Sequence, residues 1–497
     1  MQTKRWFAGK GQGIDKIELR TEGGWPKVYG NWLLTVIDVH AADGGVQSYF
    51  LPLGIAWERE GEARQKLLSP AALARVRERN QEGILYSALG DEDFCRALLR
   101  DIGRGETLEL GGGRLRFNPT GVYQKLAAGI EEEPVRLPSL EQSNSSVFFG
   151  ERLFLKVYRR LQAGTNPELE MGRFLTETVP FANVAPVAGS IEYERDDGDT
   201  MTLALLQGYV DNQGDGWSHT QDYLERHLTG IGLEGTTLPE PEGETPHGAE
   251  LYLMQVLGQR VGELHYALAG DNSDSSFRPE PVTAQDLNDW VRRIRTEAET
   301  TLERLASKRA ALPETATALA EQLIGQSDAL LARIDAAALA EPHFSKTRYH
   351  GDLHLGQVLL VENDFVITDF EGEPARTMAE RRAKGPVLRD VAGMLRSFDY
   401  AALAAVLTLS SERPEDREDL EPPAREWEAL MRNAFLKGYR EGVDDAVSIP
   451  ADEDDFDRLL ELFVIEKALY EVRYELDNRP AWVVVPLAGL ARLLENG

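Results

Sequence analysis

The sequence predicts an α+β protein whose N-terminal part is rich in β-strands and whose C-terminal part is mostly helical. Two observations support this division: β-branched and apolar runs recur up to about residue 210, and apolar residues at helical spacing dominate beyond about residue 250. A third is a short β-hairpin pattern at 357–368 that carries polar residues at both ends. We therefore expect a sheet-containing half, a helical half and a polar site at this hairpin.

The first predicted unit, residues 1–115, contains strand-like runs at 32–37 and 47–51 and a helical stretch near 71–82. Three consecutive glycines at 111–113 predict a boundary or a tight turn.

The second predicted unit, residues 116–212, contains apolar runs at 147–149 and 153–158. Gly-Glu-Arg at 150–152 separates these runs, which is typical of a β-hairpin.

The third predicted unit, residues 213–497, begins with a stretch at 229–250 that is rich in Gly, Pro, Glu and Thr. This composition predicts a flexible insertion, because it offers few apolar residues to bury. The helical periodicity beyond it indicates a core-facing stripe. Its members are Leu287, Trp290, Val291, Ile294, Ala298, Leu302 and Leu305.

The composition of the chain excludes several classes of protein and of partner. The 497 residues are 42% hydrophobic, enough for large cores, and no apolar run reaches the ~18 residues of a membrane span. The single cysteine, Cys95, excludes an internal disulfide, and the first ten residues lack the apolar segment of a signal peptide, so we expect a reducing cytoplasm. The net charge of −29 argues against nucleic-acid and anionic-membrane partners.

A polar pattern at 350–357, His-Gly-Asp-Leu-His-Leu-Gly-Gln, is the strongest functional signal. Asp352 is expected to orient and deprotonate an attacking hydroxyl group. Gln357, five residues later, and Asp369 are expected to hold Mg²⁺ against the phosphates of ATP. The pattern therefore predicts phosphoryl transfer from ATP.

The same residues are expected to lie at the two ends of one hairpin. Apolar runs at 357–361 and 365–368 flank a turn at 362–364, so Gln357 and Asp369 can share one metal ion.

A candidate phosphate-binding segment, Gln-Ser-Asn-Ser-Ser at 142–146, precedes the hairpin of the second unit. Ser143, Asn144, Ser145 and Ser146 can offer hydroxyl, amide and backbone donors to phosphate oxygens. Such a cluster more often forms an ordinary turn.

Lys156 lies within an otherwise apolar strand and therefore needs a partner. Asn166 and Pro167 predict a helix start, and Glu168 and Glu170 follow in its first turn. A strand lysine paired with a glutamate of the next helix orients the phosphates of ATP in kinases. We favour Glu170, because Glu168 could simply complement the helix dipole. The alternative is an edge-strand lysine that points to solvent.

The apolar run 203–210 contains Gln207, Tyr209 and Val210, which we assign to nucleotide binding. The run is either a hinge whose backbone meets the adenine edge or a core strand that ends in a loop.

Lys467, Glu471, Tyr474 and Asn478 are spaced to share one helix face, and Arg479 with the following proline ends that helix. Aromatic, carboxylate, amide and guanidinium groups together suit a sugar. A solvated helix face with a Lys–Glu pair is the alternative.

With these residues in place, the chain resembles the maltokinase family of the aminoglycoside-phosphotransferase-like kinase superfamily. The segments that carry the resemblance are 5–10, 142–146, 166–170, 350–357, 369–374, 388–400 and 470–480.

The resemblance implies a bilobal protein-kinase-like fold, with a β-rich N-lobe that carries an N-terminal cap subdomain and a mostly helical C-lobe. It implies ATP-dependent phosphorylation of maltose at the anomeric hydroxyl, which would feed glycogen synthesis, and a functional association with trehalose synthase. The residues expected to bind the substrate are His354, Glu371, Tyr470, Glu471, Tyr474 and Arg479.

Two residues are expected to support the catalytic loop. Asp390 is expected to accept backbone N–H bonds from it, and His350 to hold it in place. Two rival functions stay open: a kinase of another sugar or an aminosugar such as glucosamine, and a non-catalytic scaffold.

Overall fold

The structure is a computed structural model that describes residues 7, 13–27, 30–137, 144–234, 247–338 and 341–495, without the side chains of 231–234 and 414. The chain forms two compact units, which divide after Asp211, with the short segment Arg376–Met378 belonging to the first. The α+β class is confirmed, with a β-rich N-terminal region and a helical C-terminal part. The three-part division at 115 and 212 stays a prediction.

Up to residue 211, strands predominate. They are β1 (Ile14–Lys27), β2 (Gly30–Ala41), β3 (Val46–Phe50), β4 (Leu53–Trp57), β5 (Ala72–Glu78), β6 (Gln81–Ser87), β7 (Thr107–Leu110), β8 (Gly113–Pro119), β9 (Val135–Arg136), β10 (Ser145–Phe149), β11 (Leu153–Val157), β12 (Arg160–Leu161), β13 (Val187–Arg195) and β14 (Thr200–Gly208). The helices are α1 (Glu62–Leu68), α2 (Glu92–Arg104), α3 (Tyr123–Leu126) and α4 (Pro167–Arg173).

These strands form two antiparallel sheets within the first unit. One has the order β12-β3-β2-β4-β6-β5, with β1 also paired to β2, and the other has the order β7-β8-β13-β14-β11-β10-β9. The predicted hairpin of the second segment is β10–β11, in which Ser146 pairs with Lys156. The glycines at 111–113 include the tight turn between β7 and β8, where Gly112 has a φ of 78° that favours glycine.

One aromatic core joins the two sheets. Trp25 of β1 stacks on Phe117 of β8 at 6.0 Å, and Phe94 of α2 meets both Trp25 and Trp32 edge-on at 5.4 Å. All four rings are buried, so the first unit has a continuous core around α2.

The helix predicted near 71–82 is wrong. The segment forms the hairpin β5–β6, and its turn lies at Arg79, whose φ of 53° is left-handed. Small and branched residues alternate with arginines along β5, and pairing with β6 selects the extended state over helix propensity.

From residue 212 onward, helices predominate. The elements are α5 (Gly216–Glu234), α6 (Gly248–Leu268), β15 (Glu280–Pro281), α7 (Ala284–Lys308), α8 (Glu314–Gly325), α9 (Ser327–Ala336), β16 (Ser345–Lys346), β17 (Val358–Val361), β18 (Asp364–Ile367), α10 (Met378–Arg382), α11 (Leu388–Leu409), α12 (Arg417–Val443), α13 (Glu453–Asn478) and α14 (Val484–Glu495).

Helix α11 is the centre of the second unit and packs against α5, α12, α13 and α14. It is the one described helix that is long and apolar enough to cross a membrane, but 83% of its apolar window is buried within the protein. That burial is typical of a core helix.

The predicted insertion at 229–250 is wrong at both ends, since α5 continues to Glu234 and α6 begins at Gly248. Residues 235–246 lie outside the described part. Helix α6 then lies close to α12, because a Cβ at Gly258 or Gly438 would overlap the backbone of the opposite helix.

Candidate active site

A buried aspartate stabilises the loop that was predicted to be catalytic. Asp390, 1% exposed at the start of α11, accepts hydrogen bonds from the backbone N–H groups of His350 (2.7 Å) and Gly351 (2.8 Å). These are the backbone bonds expected of Asp390. His265 of α6 adds a bond to the same carboxylate at 3.1 Å, and Tyr439 of α12 contacts the other ring nitrogen at 3.0 Å. No sequence pattern marked His265, since its partners lie 125 and 174 residues away.

His350 connects this loop to the hairpin. One ring nitrogen lies 2.8 Å from the carbonyl oxygen of Thr368, and the other accepts from the N–H of Asp352 at 3.3 Å. The first contact requires an N–H on that nitrogen and the second requires a lone pair, so the two bonds fit the neutral imidazole. The ring also packs on Phe370 at 4.8 Å.

The hairpin β17–β18 brings Gln357 and Asp369 together. The Gln357 side-chain amide donates to Asp369 Oδ2 at 3.1 Å. Asp369 has a left-handed φ of 64°, which is a strained conformation for a residue other than glycine and is often found at functional sites. Carboxylate oxygens of Asp369 and Glu371 lie within 4.8 Å of each other.

This oxygen-rich group fits a hard cation. Mg²⁺ prefers carboxylate and amide oxygens in proteins. Gln357 can present its amide oxygen by rotating about its last side-chain bond, and Asp369 supplies a carboxylate.

Asp352 forms an ion pair with Lys467 of α13, whose Nζ lies 3.2 Å from Oδ1. Burial raises the pKa of Asp352, but the Lys467 charge, aided by His354, outweighs this effect and holds the pKa below its ordinary value. Burial lowers the pKa of Lys467, but Asp352, Glu373 and Glu471 together raise it well above its ordinary value. Asp352 is therefore ionised and able to accept a proton from a hydroxyl group.

His354 stands beside this pair. Its Nδ1 accepts from the N–H of Gly356 at 3.0 Å. Burial lowers the pKa of His354; Asp352 opposes the shift and Lys467 adds to it. Its Nε2 has no hydrogen-bond partner among the described residues, and His354 lines a cavity. The imidazole is thus a neutral group that can hydrogen-bond a ligand.

The cavity has a volume of about 330 Å³ and lies entirely within the second unit. Its lining is Trp217, His354, Gly356, Gly393, Ser397, Tyr400, Lys467, Tyr470, Glu471, Tyr474, Glu475, Arg479 and Trp482.

The cavity gathers most of the residues predicted for the substrate. His354, Tyr470, Glu471, Tyr474 and Arg479 all line it. Glu371 does not belong to this described lining and lies beside Asp369 instead.

Sequence reasoning missed other lining residues because they come from distant helices. Trp217 is on α5, Tyr400 is on α11, and Trp482 follows α13. Glu475 is on α13 and was not predicted as a binding residue. Tyr474 was predicted because its spacing places it on one helix face with Lys467 and Glu471, and no comparable pattern marked Trp217.

Two of the lining carboxylates are already hydrogen-bonded. Glu475 accepts from Arg479 Nη2 at 2.5 Å and from the Tyr400 hydroxyl at 3.2 Å. Glu471 accepts from Arg396 Nε at 2.9 Å and Nη2 at 2.6 Å. Burial raises the pKa of Glu471 despite the charge of Arg396.

The lysine of the first unit has a different partner from the one predicted. Lys156 Nζ lies 2.7 Å from Glu168 Oε2, and the Tyr158 hydroxyl donates to the same oxygen at 2.6 Å. The partner assigned at Glu170 is therefore corrected to Glu168 for this ion pair. Glu168 is 3% exposed whereas Glu170 is half-buried, so Glu168 does more than complement the helix dipole.

The predicted phosphate segment is partly strand. Ser145 and Ser146 begin β10, and the Ser145 hydroxyl accepts from Arg159 Nε at 2.8 Å. Asn144 directly precedes the strand, and Ser143 lies outside the described residues. Ser146, opposite Lys156, is the member placed closest to the predicted phosphate-orienting lysine in the ladder.

Most of the predicted nucleotide-binding run 203–210 lies in β14, which ends at Gly208. Gln207 is paired in the sheet with Phe154 and Val187, and Val210 follows the strand end. The N–H of Tyr209 donates to the carbonyl oxygen of Arg152 at 2.9 Å. A nucleotide would therefore have to use the ring or the carbonyl oxygen of Tyr209, because its N–H is already bonded.

Comparison with known proteins yields three kinds of likeness. A family model of the maltokinase N-terminal cap domain matches residues 1–91. The chain is 27% identical to glucosamine kinase of Streptacidiphilus jiangxiensis over 366 residues, which span 71% of this chain and 72% of that protein. It is 25% identical to glucosamine kinase of Mycolicibacterium smegmatis over 371 residues, 74% of this chain and 80% of that protein.

Solved structures give the same result for the fold. A glucosamine kinase in complex with glucosamine, ADP and inorganic phosphate superimposes with a TM-score of 0.65 at 22% identity, covering 97% of this chain and 95% of that chain. A second crystal form of glucosamine kinase gives a TM-score of 0.60 at 22% identity, covering 100% and 97%. Together these likenesses support a sugar kinase, that is, a phosphotransferase. Residues 1–91 thus resemble the N-terminal cap domain of maltokinases, and most of the chain resembles glucosamine kinases.

Proposed function

We propose that the protein transfers the γ-phosphoryl group of ATP to the anomeric hydroxyl of maltose, giving maltose 1-phosphate and ADP. The observation that carries this proposal is the catalytic loop beside the cavity. Asp352 is paired with Lys467, and Lys467 also lines the cavity with the predicted sugar-binding residues.

The reaction assigns a proton to Asp352. As the acceptor oxygen attacks the γ-phosphorus, a new O–P bond forms and the bond between the γ-phosphorus and the β,γ-bridging oxygen breaks. The hydroxyl proton passes to Asp352 Oδ, and ADP leaves with the bridging oxygen. Lys467 keeps Asp352 ionised before transfer, and neutral His354 orients a sugar hydroxyl by hydrogen bonding.

The donor side is assigned to the residues that the sequence predicts for it. Lys156, held by Glu168, is the proposed partner of the ATP phosphates, and Gln357 and Asp369 would hold Mg²⁺. When bound, Mg²⁺ neutralises charge on the phosphates. Ser146 is proposed as a phosphate donor because its position opposite Lys156 places it on the same stretch of sheet.

Maltose is supported by the aromatic lining of the cavity. Trp217, Tyr470, Tyr474 and Trp482 provide apolar faces of the kind on which sugar rings stack, and Tyr470 and Tyr474 are stacked at 6.3 Å. The C-terminal segments that carry the maltokinase resemblance include two of these four residues.

Glucosamine is the second candidate acceptor. The named relatives are glucosamine kinases, and the carboxylates of Glu471 and Glu475 line the cavity, where an ammonium group would find acidic partners. Both carboxylates already accept bonds from arginines, so an ammonium group would share them.

The test is ADP release from Mg-ATP with maltose, glucosamine, glucose and trehalose, with Asp352→Asn as the blank. Turnover dominated by maltose is expected. Dominant turnover of glucosamine would replace maltose by the second candidate, and silence with all four sugars would overturn the kinase proposal.

A matched pair of tyrosine variants tests the cavity. Tyr474→Ala should raise the acceptor KM severalfold with little change in the KM for ATP. Tyr266→Ala removes a tyrosine of similar exposure, 51% against 44%, that does not line the cavity, and should leave both values unchanged. Equal effects of the two substitutions would place the acceptor elsewhere.

Further proposals rest on the single cysteine and the net charge of −29, except the association with trehalose synthase, which follows from the resemblance alone. We propose a cytoplasmic location and a functional association with trehalose synthase, with no nucleic-acid or membrane partner.

A further inference from the structure

A second cavity, of about 260 Å³, lies among helices α11, α12 and α14 of the second unit. The polar residues that line it are Arg396, Arg425, Glu428, Arg432, Asn433 and Arg492. None of these residues belongs to the proposed catalytic loop, and four of them are arginines.

Part of this positive charge is used within the protein. Asp399, fully buried on α11, accepts from Arg396, from Arg425 at 2.5 Å and from Arg492. Glu428 accepts from Arg425 at 3.1 Å and from Arg492 at 2.7 Å. The carboxylates of Asp399 and Glu428 thus accept hydrogen bonds from three guanidinium groups. These belong to Arg396, Arg425 and Arg492.

Other N–H donors of the arginines that line this cavity have no hydrogen-bond acceptor among the described residues. Arg425 Nη2 and Arg492 Nε are buried without a hydrogen bond, and the nearest carboxylate to Arg425 Nη2, Glu421, is 3.6 Å away. The Arg432 guanidinium makes no hydrogen bond within the described part of the chain, and its nearest carboxylate oxygen, on Glu428, is also 3.6 Å away. Burial lowers the pKa of Arg432, which means that Glu428 and Asp399 do not fully offset its loss of water.

Buried guanidinium donors without acceptors carry a large desolvation cost, and an oxyanion relieves it. Arginine recognises phosphate through several N–H groups at once, and three arginines with spare donors line this cavity. We propose that the cavity among α11, α12 and α14 is a binding site for a phosphate oxyanion, with Arg432, Arg425 and Arg492 as its donors. The phosphate is either inorganic phosphate or the phosphate group of a small phosphorylated sugar.

The site is connected to the acceptor cavity through one ion pair. Arg396 lines the second cavity, and its guanidinium donates two hydrogen bonds to Glu471, which lines the first. An anion that attracts Arg396 competes with Glu471 for the same guanidinium. Phosphate binding therefore changes the affinity of the acceptor cavity, and sugar binding changes phosphate affinity by the same factor. This last step rests on the proposed function; the anion site itself does not.

The experiment is a thermal-shift titration of the full chain with inorganic phosphate, and separately with glucose 6-phosphate, at ionic strength held constant with chloride. A ligand that binds only the folded state raises Tm with its concentration. Arg432→Gln removes the least-paired arginine and should raise the half-saturating phosphate concentration about tenfold. Lys437→Gln removes one exposed positive charge from the same helix and should leave the titration unchanged.

Equal titrations of the wild type and Arg432→Gln, or no phosphate-dependent shift in the wild type, would overturn the site. If Arg432→Gln does not fold, Arg432→Lys keeps the charge but loses the planar fork, and should still weaken binding relative to Lys437→Gln. A stronger response to glucose 6-phosphate than to inorganic phosphate, lost in the Arg432 variant, assigns the site to a phosphorylated sugar.

Calorimetry of maltose binding, with and without saturating phosphate, tests the connection. The Kd should differ between the two conditions in the wild type and not in Arg432→Gln. An unchanged Kd in the wild type would overturn the connection. A phosphate titration that depends on Arg432 while maltose does not bind would mark failure of the proposed function alone.

Discussion

Asp352 and Asp399 are two aspartates of the same helical unit, and basic partners hold the pKa of each below its ordinary value. Burial raises the pKa in both cases and is outweighed, by Lys467 at Asp352 and by three arginines at Asp399. Asp352 has one ion-pair partner at 3.2 Å and a side chain that is 20% exposed, whereas Asp399 is 0% exposed. The carboxylate of Asp399 contacts only groups within the protein. The carboxylate of Asp352 is partly exposed and can contact a reactant. A low pKa alone thus does not mark a carboxylate as catalytic, and the role proposed for Asp352 depends on its partial exposure as well.

Asp352→Asn is the substitution with the largest consequence for turnover. We expect turnover to fall by roughly 10²–10⁴-fold, because the proton acceptor is lost while the shape of the side chain is kept. The KM for ATP and Tm should stay close to the wild-type values, since Asp352 accepts one long ion-pair contact and is not at the centre of a network. Steady-state kinetics and thermal unfolding measure both quantities. Retained activity would remove Asp352 from the mechanism.

Asp399→Asn should lower stability more than turnover, which is the reverse of the effect expected for Asp352→Asn. Loss of this buried charge leaves Arg396, Arg425 and Arg492 without their shared carboxylate, which typically costs about 3–5 kcal/mol of unfolding free energy. Activity per folded molecule should fall much less than in Asp352→Asn. Urea unfolding gives the free energy, and active-site titration corrects the rate for the folded fraction.

The control for that measurement is Asp477→Asn on α13. Asp477 is also paired with two basic residues, Arg304 and Lys308, but at the surface. Exposed ion pairs contribute about 0–1 kcal/mol, so this substitution should change the unfolding free energy little. Similar losses in both variants would mean that burial does not separate the two kinds of aspartate.

A third acidic residue extends the comparison to the first unit. Glu168 is buried like Asp399, but its partner Lys156 is proposed to contact a ligand as Asp352 does. Glu168→Gln should raise the KM for ATP about tenfold, because a charge-assisted hydrogen bond that fixes Lys156 is weakened. Glu170→Gln, two residues along α4, should have a smaller effect. A larger effect of Glu170→Gln would restore the partner that the sequence favoured.

The catalytic loop could be predicted from sequence because its parts are local. Asp352, Gln357 and Asp369 lie within 18 residues, and the hairpin between the last two is visible as two apolar runs around a turn. The helix face with Glu471 and Tyr474 follows from the helical repeat alone. The identity of the acceptor does not follow from these positions.

The errors and omissions share a cause, which is tertiary contact. At 71–82, strand pairing with β6 outweighs helix propensity. Whether Lys156 pairs with Glu168 or with Glu170 depends on which carboxylate faces the strand that carries Lys156. His265 and the arginines around Asp399 could not be found because each contact joins helices that are distant in the chain. Residues 5–6, 8–10 and 143 lie outside the described part, so their predictions stay untested.

The smallest expected effect is a shift in pH dependence on removing the partner of Asp352. Lys467 lowers the pKa of Asp352, so the stability that this pair contributes is present above the ordinary aspartate pKa of about 3.9 and is lost as the pH falls through the lower folded-state value. Lys467→Met removes the stabilising charge, and the pKa of Asp352 should rise. Catalysis requires ionised Asp352, so the acidic limb of the kcat/KM profile should move to higher pH, since that limb reports the free enzyme.

Lys437→Met, an exposed lysine of α12, is the control for general charge and should leave the acidic limb in place. Glu373 also faces Lys467, at 3.8 Å. Adding Glu373→Gln to Lys467→Met leaves Asp352 as the carboxylate beside the removed charge, and the acidic limb should stay displaced. An acidic limb unmoved by Lys467→Met would mean that the ion pair, although present, does not set the protonation state on which turnover depends. Asp352 would then resemble Asp399, a carboxylate whose partner serves structure alone.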